Sequence, residues 1–137
     1  MAVRPVLRLG DPRLRLRSSA VPEERFGGAP LADLITDLRD TMASLSGAGL
    51  AAPQIAVPWR VVIYGLTHNP RYPDALPIPE TVLINPKLTP VGTTTQLGWE
   101  GCLSVPGLRG EVERWQTLHV SWYDQRGAWR EAVVEGF

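Results

Sequence analysis

Thr117-Leu118-His119-Val120-Ser121-Trp122-Tyr123 alternates apolar and polar side chains, with Leu118, Val120 and Trp122 on one face and Thr117, His119, Ser121 and Tyr123 on the other. A period of two is that of a strand with one buried face. The turn-forming set Asp124-Gln125-Arg126-Gly127 follows, and then a second short run from Ala128 to Val134. Together they predict a hairpin, which makes the sheet antiparallel at this point. Upstream, residues 60–66 and 81–85 are rich in Val, Ile and Leu and bounded by Pro and Gly, and they read as further strands. Residues 68–80 between them contain four prolines and read as a loop.

Only one stretch has helical spacing. Between Pro30 and Ser46, Leu31, Leu34, Ile35, Leu38, Met42 and Leu45 fall on one face, with Asp33, Asp37, Arg39 and Asp40 off that stripe. Pro30 suits the first helical position, the aspartates favour the early turns, and Gly47 with Gly49 supplies the stop. The expected fold class is therefore α+β: an N-terminal helix leading a mostly antiparallel sheet, in a single domain over 1–137. Five tryptophans imply aromatic core layers or a ligand cleft.

Composition removes several function classes. No apolar run approaches the roughly 20 residues needed to span a bilayer, and 14 basic residues balance 14 acidic ones, so no global charge draws the chain to DNA or to anionic lipid. One cysteine excludes an internal disulfide and fits a reducing compartment. Arg4, Arg8, Arg13, Arg15 and Arg17 resemble a targeting segment, but Pro5, Gly10 and Pro12 interrupt the helix it would need. The expected location is the cytoplasm, with the first residues part of the mature chain.

Two segments carry candidate chemistry. In Gly47-Ala48-Gly49-Leu50-Ala51-Ala52-Pro53-Gln54 every side chain before Gln54 is small or apolar. The backbone can lie close against a ligand while the Gln54 amide donates to an oxygen that develops charge; equally, this is a tight connection with Gln54 in solvent. In Trp99-Glu100-Gly101-Cys102-Leu103-Ser104, continuing to Arg109, a thiol beside glycine can reach a metal, with neighbouring N–H groups facing a substrate; equally, Cys102 is an inert buried thiol.

Taken together, Gly49-Leu50-Ala51-Ala52-Pro53-Gln54 and Glu100-Gly101-Cys102-Leu103-Ser104 resemble the first two signature motifs of peptide deformylases, in the right order. The opening Val6-Leu7-Arg8-Leu9-Gly10-Asp11-Pro12-Arg13-Leu14-Arg15 is also similar to that family's. The resemblance implies removal of the formyl group from N-formylmethionyl peptides or nascent chains, with the ribosome as a possible setting. It implies Cys102 as thiolate ligand of a divalent metal, ferrous iron by family and replaceable by nickel, cobalt or zinc. Gln54 and the Leu103 N–H would hold the tetrahedral oxyanion, backbone around Ala48, Gly49 and Gly101 would pair with the extended peptide, Arg109 would line the cleft, and Glu100 would be structural, paired with that arginine.

The same resemblance implies a later helix carrying His-Glu-x-x-His, with two further ligands and the general acid/base. These 137 residues contain no such spacing. The two histidines, His68 in the proline-rich loop and His119 on a strand, are expected to be surface or packing residues, and a thiol hydrolase pairing Cys102 with His119 is the weakest reading. The expectation is a peptide-deformylase-like domain lacking its C-terminal metal-binding helix, C-terminally truncated, inactive alone, and with an apolar sheet face awaiting a missing segment or a partner. A non-catalytic peptide-binding relative is the alternative.

Overall fold

The structure, a computed structural model, describes residues 2–137. Helix α1 (Ala29–Ser44) forms where the spacing predicts it, with Pro30 in its first turn. It buries Leu31, Leu34, Ile35, Leu38 and Met42 against Leu50, Val61, Ile63 and Ile84 of the sheet. Each such side chain contributes about 1.5–3 kcal/mol on leaving water. The helix stops just before Gly47, whose N–H closes the end by donating to the Met42 carbonyl at 2.9 Å, while Ser46, at φ +52°, takes the left-handed position.

Asp33 lies in an early turn, but Asp37, expected off the apolar stripe, is buried. Its carboxylate accepts from Ala2 N–H at 2.7 Å and from Arg4 Nε at 2.8 Å. A buried carboxylate is tolerable only when paired in this way. The hydrogen bond from the Arg4 side chain leads the causes that hold its pKa down to about 2.

Among the described residues seven strands follow: β1 (Gly49–Ala51), β2 (Val61–Leu66), β3 (Ile78–Pro90), β4 (Thr95–Cys102), β5 (Val105–Trp115), β6 (Thr117–Tyr123) and β7 (Trp129–Glu135). Five make one sheet in the order β1-β2-β3-β6-β7, while β4 and β5 form a separate two-stranded ribbon. Every strand pair is antiparallel, as the hairpin implied, and that hairpin pairs Leu118 with Val134 and Val120 with Ala132. Strand β3 extends well beyond the predicted 81–85. It bends at Asn85, φ +51°, where the register against β6 shifts and the Asn85 amide both accepts from and donates to the Val21 backbone.

One face of the sheet packs on α1. On the other, Leu83, Leu88, Leu118, Val120, Trp122 and Val134 line an open apolar groove of about 880 Å³. The tryptophans form no core layer: Trp59 packs at the core's margin, Trp122 lines the groove, and Trp99, Trp115 and Trp129 are exposed. The reason is architectural, since a two-stranded ribbon has no second layer to bury Trp99 and Trp115 against. Among the described residues no helix is long and apolar enough to cross a membrane.

Candidate functional site

Beyond α1 the chain runs through Gly47 and Ala48 into β1, which among the described residues pairs only with β2 and so leaves its other backbone edge open. A short 3₁₀ turn, Ala52–Ile55, follows, anchored by buried Ala52 and Ile55. Gln54 lies between these anchors, and its amide is held at both ends. Oε1 accepts from Ala51 N–H at 2.9 Å, while Nε2 donates to Ser104 Oγ at 3.0 Å and lies 3.6 Å from Cys102 Sγ. An amide nitrogen has two hydrogens. One is committed to Ser104; the other points to the sulfur over a long, weak contact and is available to an oxygen bound beside that sulfur.

Cys102 ends β4, where the register against β5 shifts, and its side chain is exposed, which removes the inert buried thiol. The flanking glycines lie close against two side-chain tips. A Cβ on Gly47 would stand 2.7 Å from Leu103 Cδ1, and one on Gly101 would stand 2.8 Å from Arg71 Nη2. The first motif is thus seated against the second through Leu103. The N-terminal segment ties them again: Leu7 N–H donates to the Gln54 carbonyl and Leu9 N–H to the Ser104 carbonyl, both at 2.8 Å.

The two motifs face a cleft of about 390 Å³ lined by Ala48, Gly49, Gln54, Gly101, Cys102 and Leu103, with Arg71, Tyr72 and Phe137 across it. Every residue assigned to the site except Arg109 therefore lines one cavity. Arg109 lies at its rim, with its guanidinium 4.8 Å from the Tyr72 ring centroid and Nη2 donating to the Arg71 carbonyl.

Glu100 does not pair with Arg109. It accepts two bonds from Arg114, at 2.9 and 2.8 Å, and this partner holds its pKa below the usual carboxylate value. Strand register explains the correction. Glu100 stands opposite Gly110 and Arg109 opposite Gly101, one position along, so the two side chains leave opposite faces of the ribbon; Arg114, opposite Gln96, shares the face of Glu100. His119 is bonded to Glu131 at 3.0 Å, and neither it nor His68 lines the cleft around Cys102. That leaves the thiol hydrolase without its base.

The family model for polypeptide deformylase matches residues 3–137. The chain belongs to this family. It is 51% identical to peptide deformylase 1 of Prochlorococcus marinus, covering 100% of this chain and 71% of that protein. Against peptide deformylase 2 of Ralstonia nicotianae the identity is 53%, over 98% of this chain and 75% of that protein. Among solved structures, a Met-Ala-Ser-bound class I type b peptide deformylase from Acinetobacter baumannii superposes with a TM-score of 0.95 at 37% identity, covering 99% of this chain and 86% of that one. The deformylase fold expected from the motifs is the fold observed.

Membership implies a divalent metal. Cys102, an exposed thiol at a strand end, has the chemistry of one ligand. Among the described residues, however, no group of three His, Cys, Asp or Glu side chains stands together to hold a cation. These residues fit one donor position and fall short of a metal centre. Sequence reasoning left Ser104 without a role, although it lies inside a quoted motif. It also missed Arg71 and Tyr72, since a proline-rich loop has no periodicity to place them.

Proposed function

We propose that the protein belongs to the machinery that removes the formyl group from N-formylmethionyl peptides, and that these 137 residues supply its oxyanion donors, its peptide cleft and one metal ligand. The observation that carries this reading is the Gln54 amide, pinned by Ala51 and Ser104 with one hydrogen directed toward Cys102. Gln54 and the Leu103 N–H hold the developing oxyanion, which preorganised donors stabilise more than they stabilise the planar carbonyl. The open edge of β1 at Ala48 and Gly49 and the backbone at Gly101 pair with the extended peptide, as strand addition requires. Arg109 borders the cleft and Cys102 is a thiolate ligand, with ferrous iron the metal that the family resemblance favours.

These residues alone bind peptide without turning it over, because two histidine ligands and the glutamate acid/base have no counterpart among them. The open apolar groove beside the cleft is where a completing segment or partner lies. The reading calls for a soluble cytoplasmic protein of one domain. Metal content and formyl-Met peptide turnover are to be measured together, on this chain and on a version extended by a His-Glu-x-x-His helix. The expected result is neither property in the first and both in the second. An extended protein that takes up no metal and leaves the formyl group intact would overturn the proposal in favour of a non-catalytic peptide-binding relative.

A further inference from the structure

The hydrogen-bond pattern of β1 fixes which of its backbone groups face the open edge. In an antiparallel pair, residues alternate between exchanging both backbone bonds with the residue opposite and turning both groups outward. Gly65 N–H donates to the Ala48 carbonyl at 3.0 Å, and the register runs on with Gly49 opposite Tyr64, Leu50 opposite Ile63 and Ala51 opposite Val62. Ala48 and Leu50 therefore turn toward β2, while Gly49 and Ala51 turn outward. Gln54 takes up what Ala51 offers. Its Oε1 accepts from Ala51 N–H at 2.9 Å, and its own backbone N–H closes the first turn of the 3₁₀ helix on the carbonyl of Ala51, the N-cap. Because Ala51 N–H can only donate, the oxygen end of the amide must face it, which leaves Nε2 toward Cys102. On the other side, Gly47 N–H is committed to the Met42 carbonyl. Among the described residues of β1, Gly49 alone thus offers both an N–H and a C=O to a new strand.

We infer that Gln54 is a strand stop, a specificity determinant that confines the cleft to chain termini by filling the rung on which a longer bound strand would continue. This rests on the peptide-cleft reading above. A peptide adding at Gly49 exchanges one N–H and one C=O with it. Two residues further toward Cys102 it would need Ala51, and meets the Gln54 side chain instead. An internal segment running on past Gly49 leaves its backbone groups unpaired there, with the cost that unmade hydrogen bonds carry, whereas a chain that ends at that point leaves none. One side chain thus acts twice: its oxygen ends the strand, and its nitrogen faces the reacting carbonyl.

The test is calorimetric binding of two C-terminally amidated peptides, formyl-Met-Ala-Ser and acetyl-Pro-Pro-Met-Ala-Ser, to the full chain. The prolines, lacking an N–H, cannot shift into the rung at Gly49, so the second peptide presents its methionine as an internal residue. Wild type should prefer the first by about tenfold, the scale of one or two hydrogen bonds. Gln54→Ala frees Ala51, and the longer peptide should bind this variant roughly threefold to tenfold more tightly than it binds wild type. Gln54→Glu loses the amide donor but keeps the oxygen that accepts from Ala51, so it should show no such gain, and its Ala51 N–H should exchange as slowly as in wild type. Equal binding of the two peptides by wild type, no gain in Gln54→Ala, or the same gain in Gln54→Glu overturns the inference and leaves the cleft reading standing. Failure of formyl-Met-Ala-Ser to bind wild type removes the cleft reading, and the inference with it.

Discussion

Leu38 of α1 is 0% exposed, whereas Leu97 and Trp99 of β4 are 61% and 64% exposed, yet each region carries half of the site. Gln54 stands on a turn whose neighbours are sunk in the main core. Cys102 stands at the end of a ribbon with no layer behind it, kept in place by Leu103 against Gly47, Ser104 against Gln54 and Leu9, and Arg109 against the loop 67–77. The difference teaches that one motif is positioned by burial and the other by a few specific ties. Mutations in the two regions should therefore fail in different ways.

Leu38→Ala opens a cavity in the best-packed layer and should cost about 2–5 kcal/mol, whereas Leu97→Ala should cost less than about 0.5 kcal/mol. Urea denaturation of both variants measures the contrast. Equal losses would mean that the ribbon is packed in solution and that the two regions are alike.

Asp37→Asn tests whether burial in the helical half tolerates a charge only through its partners. Removing one side of a charged, part-buried hydrogen-bond set should cost about 1.5–3 kcal/mol near neutral pH. The sign with pH follows from the lowered pKa of Asp37, about 2 in the folded state. A depressed carboxylate stabilises fully above its unfolded value near ~3.9 and loses that contribution as pH falls toward the folded value. The gap between wild type and Asp37→Asn should therefore be constant above pH 5 and close between about pH 4 and 2. A gap that persists undiminished at pH 2 would assign the loss to packing.

Gly47→Ala strikes the junction between the regions. The added methyl would press on the tip of Leu103 and on Met42 Cγ, 3.2 Å away. Because the Leu103 tip can swing, the stability cost should be near the low end of overpacking, about 1 kcal/mol. The larger consequence is a displaced Leu103 and weaker peptide binding. Gly47→Ala with Leu103→Ala should cost less stability than the sum of the two single changes, which a double-mutant cycle reads directly.

The same contrast governs what the sequence made legible. Helix α1 and the β6–β7 hairpin announce themselves because burial on one face imposes a local period, and Cys102 and Gln54 stand out because their neighbours are small. Asp37 gave no such signal: its partners include Ala2 and Arg4, and only the tertiary fold brings them together. Nor did β3 beyond 81–85, since its ends carry prolines and run on the bent and edge portions of the sheet. In the site, the motif order was readable, but which arginine meets Glu100 depends on the one-residue register of β4 against β5, and no composition rule encodes that.

That register supports the smallest and sharpest prediction. Glu100 and Arg114 are 36% and 67% exposed, so their bidentate pair should contribute less than about 1 kcal/mol, and Arg114→Gln should barely shift the denaturation midpoint. Its effect belongs in titration instead. Arg114 holds the Glu100 pKa down, so removing the guanidinium should let that pKa rise toward its ordinary value. Arg109→Gln, on the opposite face of the ribbon, should leave it where it is. Following the Glu100 carboxyl carbon by NMR in the two variants separates them. A rise in Arg109→Gln and none in Arg114→Gln would mean that the ribbon sits one residue out of register in solution. Because Arg109 meets the loop 67–77 only in the observed register, such a slip would also unpin the far wall of the cleft.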